Sequence, residues 1–447
     1  MKRGESHMFE KEEKNLSELK KMYENLPFPE DKIDEAILTG FKKAKEMPEV
    51  IVKTRRKKWL FSGLIAAVFI IGFLTSIRVS PVFASYVSSI PGMEKLVELI
   101  SDNKGLMLAV ENEYIQEINT AQEKNGLKVT FDSVIADEKG MVIFQTIEAK
   151  KKQEKFYVND LKLESADGTE LELGSYSYGA HKPHGELRTK EMATMDFFFE
   201  EPLKTKEFTL TFTVETNDYE EDFRFLFTLE KPLKATKTIE MNKTILIEGQ
   251  KITIKNIKIY PLRVAVHVVM DPENSKKIFT FEDIRLVDEN GEAWTKIANG
   301  FTASQLNDNE HILYLQSYYF KEPKELYLVM NKLQAVDQED AYVKVDIENE
   351  KIINQPKGNK LTDLKVENGR ISFILSTEKE FNHSLFVSMR DANGKEIDRS
   401  SFYWTGDNNG KREIGVEFPS GKYSNPLELK LSSFPEWIEG NIKIKVK

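Results

Sequence analysis

Apolar positions along this chain change their period twice, and each change marks a different kind of element. Near the start Leu16, Leu19, Tyr23 and Leu26 recur at spacings of three and four, the stripe of an amphipathic helix. Pro27-Phe28-Pro29 ends it, because proline lacks an N–H and disfavours helix in the residue before it. A second short helix is predicted after the prolines. Ile33, Ile37, Phe41 and Ala44 form its apolar stripe, with Glu30, Asp31, Asp34 and Glu35 at its start and Lys42, Lys43 and Lys45 at its end, the charge order that a helix dipole favours. Residues 59–77 then carry no charge at all, and fourteen of those nineteen residues are strongly apolar. A helix of that length reaches about 28 Å, close to the roughly 30 Å hydrocarbon core of a bilayer, so one transmembrane helix is predicted over 59–77. A fully buried soluble helix is the alternative.

Beyond the run a helical pattern continues through a neck, 78–119, with Met93, Leu96, Val97 and Ile100 on one stripe and Leu106, Ala109 and Val110 on another. From residue 120 the period becomes two, as in Leu127-Lys128-Val129-Thr130-Phe131 and Phe208-Thr209-Leu210-Thr211-Phe212-Thr213-Val214, with Gly, Asn and Asp at the turns. The pattern also repeats. Gly126 and its strand return at Gly249, an offset of 123, and Asp160 with Gly168 returns as Asp283 with Gly291 at the same offset. The segment Phe199 to Pro202 returns at Phe320 to Pro323, and a weaker third copy places Gly394 and Pro426 at 103 after Gly291 and Pro323. Equal offsets between glycines and prolines mark equal turns, not mere hydrophobicity. The predicted fold class is therefore mainly β, with tandem immunoglobulin-like sandwiches at 120–234, 235–350 and 351–447.

Charge decides how these parts are disposed. The whole chain of 447 residues has 64 Lys+Arg and 73 Asp+Glu, net −9, but residues 1–58 hold 15 Lys+Arg and 12 Asp+Glu, net +3, leaving −12 for the rest. Lys53, Arg55, Arg56, Lys57 and Lys58 precede the apolar run, against Arg78 just after it, so the N-terminus is expected in the cytoplasm and the β-rich bulk outside. Arg55, Arg56, Lys57, Lys58, Trp59 and Arg78 are the expected membrane-interface residues. A cleavable leader competes, because Val82-Phe83-Ala84 before Ser85 is of the cleavage type, but 58 residues precede the run and leader n-regions are short. The acidic total argues against nucleic acid as a partner. The absence of cysteine excludes disulfides, thiol nucleophiles and thiolate zinc sites.

Catalytic constellations do not stand out. The pair His181 and His184 shares a polar loop that Pro183 keeps from being helical, with no third ligand in the sequence nearby, so it reads as a solvated loop. Asp407-Asn408-Asn409-Gly410 reads as a turn, since the spaced ligands and closing Glu of a calcium loop are missing. There is no Gly-rich phosphate loop, no G-x-S-x-G and no H-E-x-x-H. No enzyme, cofactor or metal is expected. Gly63 and Gly72 are not at the spacing that packs two membrane helices.

The stretch Ser80-Pro81-Val82-Phe83-Ala84-Ser85-Tyr86-Val87, then Ile90-Pro91-Gly92, Leu96-Val97, Lys104-Gly105-Leu106 and Ala109-Val110 with Tyr114, resembles the juxtamembrane signature of a family of Gram-positive single-pass membrane proteins whose outer domain has no known function. Members are commonly encoded beside extracytoplasmic-function sigma factors and regarded as anti-sigma or sigma-regulatory proteins. The resemblance implies that Ile33, Ile37 and Phe41 face a sigma factor, and that outer modules sense an envelope ligand. The zinc motif of better-studied anti-sigma factors needs cysteine, so any such contact is metal-free. The competing expectation is a surface-displayed adhesion, wall-binding or spacer protein in which 1–58 is only an anchor flank.

Overall fold

Alternation in the sequence becomes alternation in burial: along Phe208 to Val214 the residues Phe208, Leu210, Phe212 and Val214 are buried while Thr211 and Thr213 are half-exposed. The computed structural model describes residues 99–180, 186–297, 302–367, 369–378, 381–398, 401–405 and 410–447, all within the unit Thr75–Lys447. The expected helices of 1–58, the apolar run 59–77 and the start of the neck lie outside the described residues. Among the described residues the chain is mainly β, and no helix there is long and apolar enough to cross a membrane.

After the helix α1 (Lys104–Glu111), the first module is built from β1 (Gln116–Lys124), β2 (Leu127–Ala136), β3 (Gly140–Gln153), β4 (Phe156–Ser165), β5 (Leu173–Ala180), β6 (Arg188–Phe199), β7 (Glu207–Thr216) and β8 (Glu220–Thr228). The helical neck expected over 78–119 thus ends early, because Asn112 caps α1 and Glu113 takes a positive φ of 55°, after which the chain enters β1. A sheet in the order β1-β2-β3-β6-β5 packs on a sheet in the order β4-β7-β8. Phenylalanines dominate the core between them. Phe131 meets Phe225 and Phe227 edge-on at 5.9 and 4.8 Å, and truncating such a ring to Ala costs about 3–5 kcal/mol. Side chains of β1 shield the edge of β8: Gln116 donates to the Thr228 carbonyl at 2.7 Å, and Gln122 and Lys124 donate to the carbonyls of Arg224 and Asp222.

The second module repeats this plan with β9 (Lys237–Ile247), β10 (Gln250–Ile259), β11 (Arg263–Met270), β12 (Lys276–Asp288), β13 (Ala293–Trp294), β14 (Ala303–Asn307), β15 (Glu310–Gln316) and β16 (Leu326–Asp337). The repeated glycines do repeated work. Asn125-Gly126 and Glu248-Gly249 both hold two consecutive positive φ angles, the two-residue hairpin geometry that suits strand twist. Gly168, Gly291 and Gly394 have φ of 86°, 82° and 79°, and each donates its N–H three residues back, to Ser165, Asp288 and Asp391. Asn119 and Asn242, also 123 apart, take φ of 51° and 46° at matching bulges of the edge strands β1 and β9.

The third module consists of β17 (Tyr342–Asp346), β18 (Lys351–Asn354), β19 (Leu361–Glu367), β20 (Arg370–Ser376), β21 (Phe386–Arg390), β22 (Glu396–Ile397), β23 (Ser401–Trp404), β24 (Lys411–Glu417) and β25 (Leu427–Leu431), in sheets ordered β18-β17-β25-β21-β22 and β19-β20-β24-β23. The final strand, β26 (Trp437–Lys445), does not join it. It pairs antiparallel with β16, from Tyr327 opposite Lys445 to Gln334 opposite Trp437, and closes a sheet ordered β13-β12-β16-β26. The expected boundaries 235–350 and 351–447 are therefore corrected on both sides: β17 belongs to the third module, 437–445 to the second. The reason is the open edge of β16. Its counterpart β7 is covered by β8, whereas the chain leaves β16 for another module, so the returning β26 pairs with that edge and adds Ile438 and Ile444 to the core that holds Leu328, Met330 and Leu333.

Candidate functional site

α1 is eight residues long and too short to be stable alone. Asn103 caps it, its side chain accepting from the Leu106 N–H at 3.1 Å, and its buried face is Gly105, Leu106, Ala109 and Val110. That face lies in a seam. Ile135, Val142 and Phe144 of the first module and Leu262 of the second form one cluster with it. Gly105 is required where the helix backbone meets the second module, since a Cβ there would sit 2.7 Å from the Ser317 nitrogen. The Lys104 N–H donates to Gln316 Oε1 at 3.2 Å, Gln316 Nε2 donates to the Asp102 carbonyl at 3.0 Å, and Lys104 Nζ donates to the Ala293 carbonyl at 3.0 Å. Burial pulls the Lys104 ammonium below its ordinary range and pushes the Glu111 carboxyl above its own.

The connection between the first two modules is bound to the same place. Gln116 Oε1 accepts from the Glu230 and Lys231 N–H groups at 2.8 and 3.3 Å. Tyr114 donates to the Ala136 carbonyl at 2.8 Å and accepts from the Lys234 N–H at 3.2 Å; burial pushes its hydroxyl up to about 12. Lys231 Nζ donates to the carbonyls of Glu113 and Ile115. Tyr114, Gln116, Val134, Ala136, Leu229 and Lys231 line a shallow cleft here.

The modules themselves are pinned by a buried charge cluster. Asp137, fully buried in the β2–β3 turn, accepts from the Leu262 N–H at 2.9 Å and the Lys139 N–H at 2.8 Å. Arg263, 3% exposed, stacks between Phe198 and Tyr314 at 5.1 and 5.9 Å and donates to Asp196 at 3.4 Å. Gly140 leaves room for that guanidinium, which a Cβ would meet at 2.5 Å. Burial raises the Asp137 and Asp196 carboxyls, while Arg263 pulls both back.

This arrangement joins α1, the first module and the second. Among the described residues no group of three or more His, Asp or Glu side chains is placed to hold a metal ion. His267 lies 2.7 Å from Glu310, which also accepts from Asn307. The residues expected to face a partner, Ile33, Ile37 and Phe41, and those expected at the membrane interface, Arg55, Arg56, Lys57, Lys58, Trp59 and Arg78, lie outside the described residues, as do His181 and His184. Of the neck pattern, Ile100, Leu106, Ala109 and Val110 are all buried. The polar members of the joint were not singled out from sequence. The available signals were Arg263, a lone cation opening the apolar strand R-V-A-V-H-V-V-M, and Gly140 closing a turn three residues after Asp137.

Two family models match the chain. Residues 53–149 match a domain of unknown function (DUF4179), and residues 236–367 match a family of unknown function (DUF5643). The first match runs from the basic flank through the apolar run and α1 into β3; the second covers β9 to β16 of the second module without β26 and continues through β17 and β18 to the end of β19. No curated protein matches the chain. Among solved structures, a conserved domain protein from Bacillus anthracis is 16% identical over 54% of this chain and 84% of its own, with a TM-score of 0.39. A cycloalternan-forming enzyme from Listeria monocytogenes is 10% identical over 66% of this chain and 29% of its own, with a TM-score of 0.13. At these scores neither likeness bears on function.

Proposed function

We propose that the protein is a single-pass, membrane-anchored regulator of the anti-sigma kind, with its N-terminus in the cytoplasm and immunoglobulin-like modules sensing a ligand of the cell envelope. The observation that carries the reading is the burial of α1. α1 is locked to both of the first two modules by packing and by side-chain bonds to backbone, so a displacement of the modules is a displacement of α1. The match over 53–149, which takes in flank, run and helix together, supports the same reading. Inside, Ile33, Ile37 and Phe41 hold the sigma factor; Arg55, Arg56, Lys57, Lys58, Trp59 and Arg78 fix the span in the bilayer.

The test uses the full-length chain purified from membranes of its own cells. A sigma factor is expected to co-purify and to be lost with Ile37→Asp. Failure of any sigma factor to co-purify, or undiminished binding by Ile37→Asp, refutes the reading. Retention of the chain on wall material, with no transcriptional effect of its deletion, favours the adhesion or spacer alternative.

A further inference from the structure

Among the described residues the edges of the sheets are guarded, with one exception. Strands β1, β4, β8, β9, β19 and β26 all carry charged residues, and β1 and β9 are bulged as well. Strands β13, β14, β18, β22 and β23 have five residues or fewer. Charge, bulging and shortness are the devices that keep a sheet edge from recruiting another strand. β5 has none of them over Ser175 to Ala180. It is eight residues long, reads L-G-S-Y-S-Y-G-A, contains no charge and no proline, and among the described residues pairs only with β6. Its irregularity is confined to the start, between Leu173 and Ser175. Tyr176 is 55% exposed.

We infer that β5 is a docking edge for a second copy of this chain, joining two five-stranded sheets into one of ten through antiparallel β5–β5 pairing. The occupant follows from the strand itself. A twofold axis places each residue opposite one of the copy, so a charged edge would oppose like charges, whereas β5 opposes only Gly, Ser, Ala and Tyr. Directly opposed residues in an antiparallel pair share a face, and faces alternate along a strand, so the axis must pass through a residue rather than between two. Ser177 is the centre that keeps clear of the irregular start: Ser175 then faces Gly179 of the copy, and Tyr176 faces Tyr178 of the copy, an aromatic cross-strand pair. This pairing stands apart from the membrane reading and does not depend on it.

The chain has no cysteine, so a single introduced one reports its own neighbours. Ser177→Cys in the full-length chain in detergent brings two thiols to disulfide distance across the axis. Mild oxidation should give covalent dimer roughly tenfold or more faster than Thr120→Cys on the opposite edge strand β1, because pairing makes the collision intramolecular. Ser177→Lys places two cations face to face and should convert the dimer seen by sedimentation to monomer. Equal crosslinking rates, a monomer at all concentrations, or a dimer that survives Ser177→Lys overturns the inference. Should Ser177→Lys fail to fold, the crosslinking comparison decides alone.

Discussion

The return of the C-terminal strand to the second module makes a prediction that a tandem arrangement would reverse. Ile438 of β26 is 2% exposed and belongs to the core that contains Leu328, Met330 and Leu333 of β16, not to the core of the third module. Ile438→Ala removes three carbons worth about 0.8 kcal/mol each and leaves a cavity, for a cost of about 3 kcal/mol. At 1.4 kcal/mol per tenfold, amides that open with the second module should exchange roughly 100-fold faster. The assay is hydrogen exchange of the full-length chain, read by peptide. Acceleration is expected across β12 and β16, while β19, β20 and β24 of the third module are spared. Ile371→Ala, in the core of the third module, should give the converse pattern. If Ile438→Ala instead speeds exchange in β19, β20 and β24 and leaves β16 protected, the nested reading is refuted.

Three further outcomes test the joints. Asp137→Ala strands the Leu262 and Lys139 N–H groups and removes the anion beside Arg263, so it should cost about 3 kcal/mol in urea unfolding and expose 229–236 to protease; unchanged cleavage would mean that the cluster does not hold the modules together. Gly105→Ala should gain up to about 1 kcal/mol in helix propensity, yet its Cβ meets the Ser317 nitrogen at 2.7 Å, so the chain should lose stability and α1 its amide protection; a rise in melting temperature would refute the close approach. Glu282, bonded first to His383 and then to Gln334 at the junction of the second and third modules, is held down to about 2 from its ordinary 4.5. Because its folded value is depressed, its contribution is complete above about 4.5 and is lost as pH falls toward about 2, and Glu282→Gln should abolish that part of the pH dependence of melting.

Turns were legible in the sequence because glycine at positive φ is a local requirement. The offset of 123 between Gly126 and Gly249, and between Gly168 and Gly291, matches pairs of turns with nearly equal geometry. Long-range partners were not legible. The alternation of Trp437-Ile438-Glu439 and Ile442-Lys443-Ile444 marks a strand, but nothing local says that its neighbour lies a whole module earlier at β16. The joint was hidden for a related reason: Gln116, Asp137, Arg263 and Gln316 are all buried, yet each reads as a surface residue until the modules that cover it are placed. β5 escaped notice because its run of Gly, Ser and Tyr has turn-like composition, and only pairing with β6 makes it a strand.

Nesting also dictates how the parts can influence one another. The third module is tethered to the second at both of its ends, so the second module meets the first module, α1 and the third module alike. One strand touches both extremes. At its start Lys276 pairs with Asp337 at 2.8 Å and lies 3.8 Å from Glu436, and in mid-strand Glu282 meets His383 of the third module at 3.4 Å. The turn that follows its end carries Glu292, 3.8 Å from Lys104 of α1, and leads into Ala293 of β13, whose carbonyl accepts from that lysine. Thirteen residues of β12 span about 43 Å and pair with β16 from Lys276 to Asp288, with register irregularities between Ile278 and Ile284. β12 thus physically connects the contact of Glu282 with His383 to the contacts of its following turn with Lys104. Charge reversal at Glu292 should therefore loosen α1 while leaving all three cores intact, whereas Glu282→Gln should loosen the third module while leaving α1 docked.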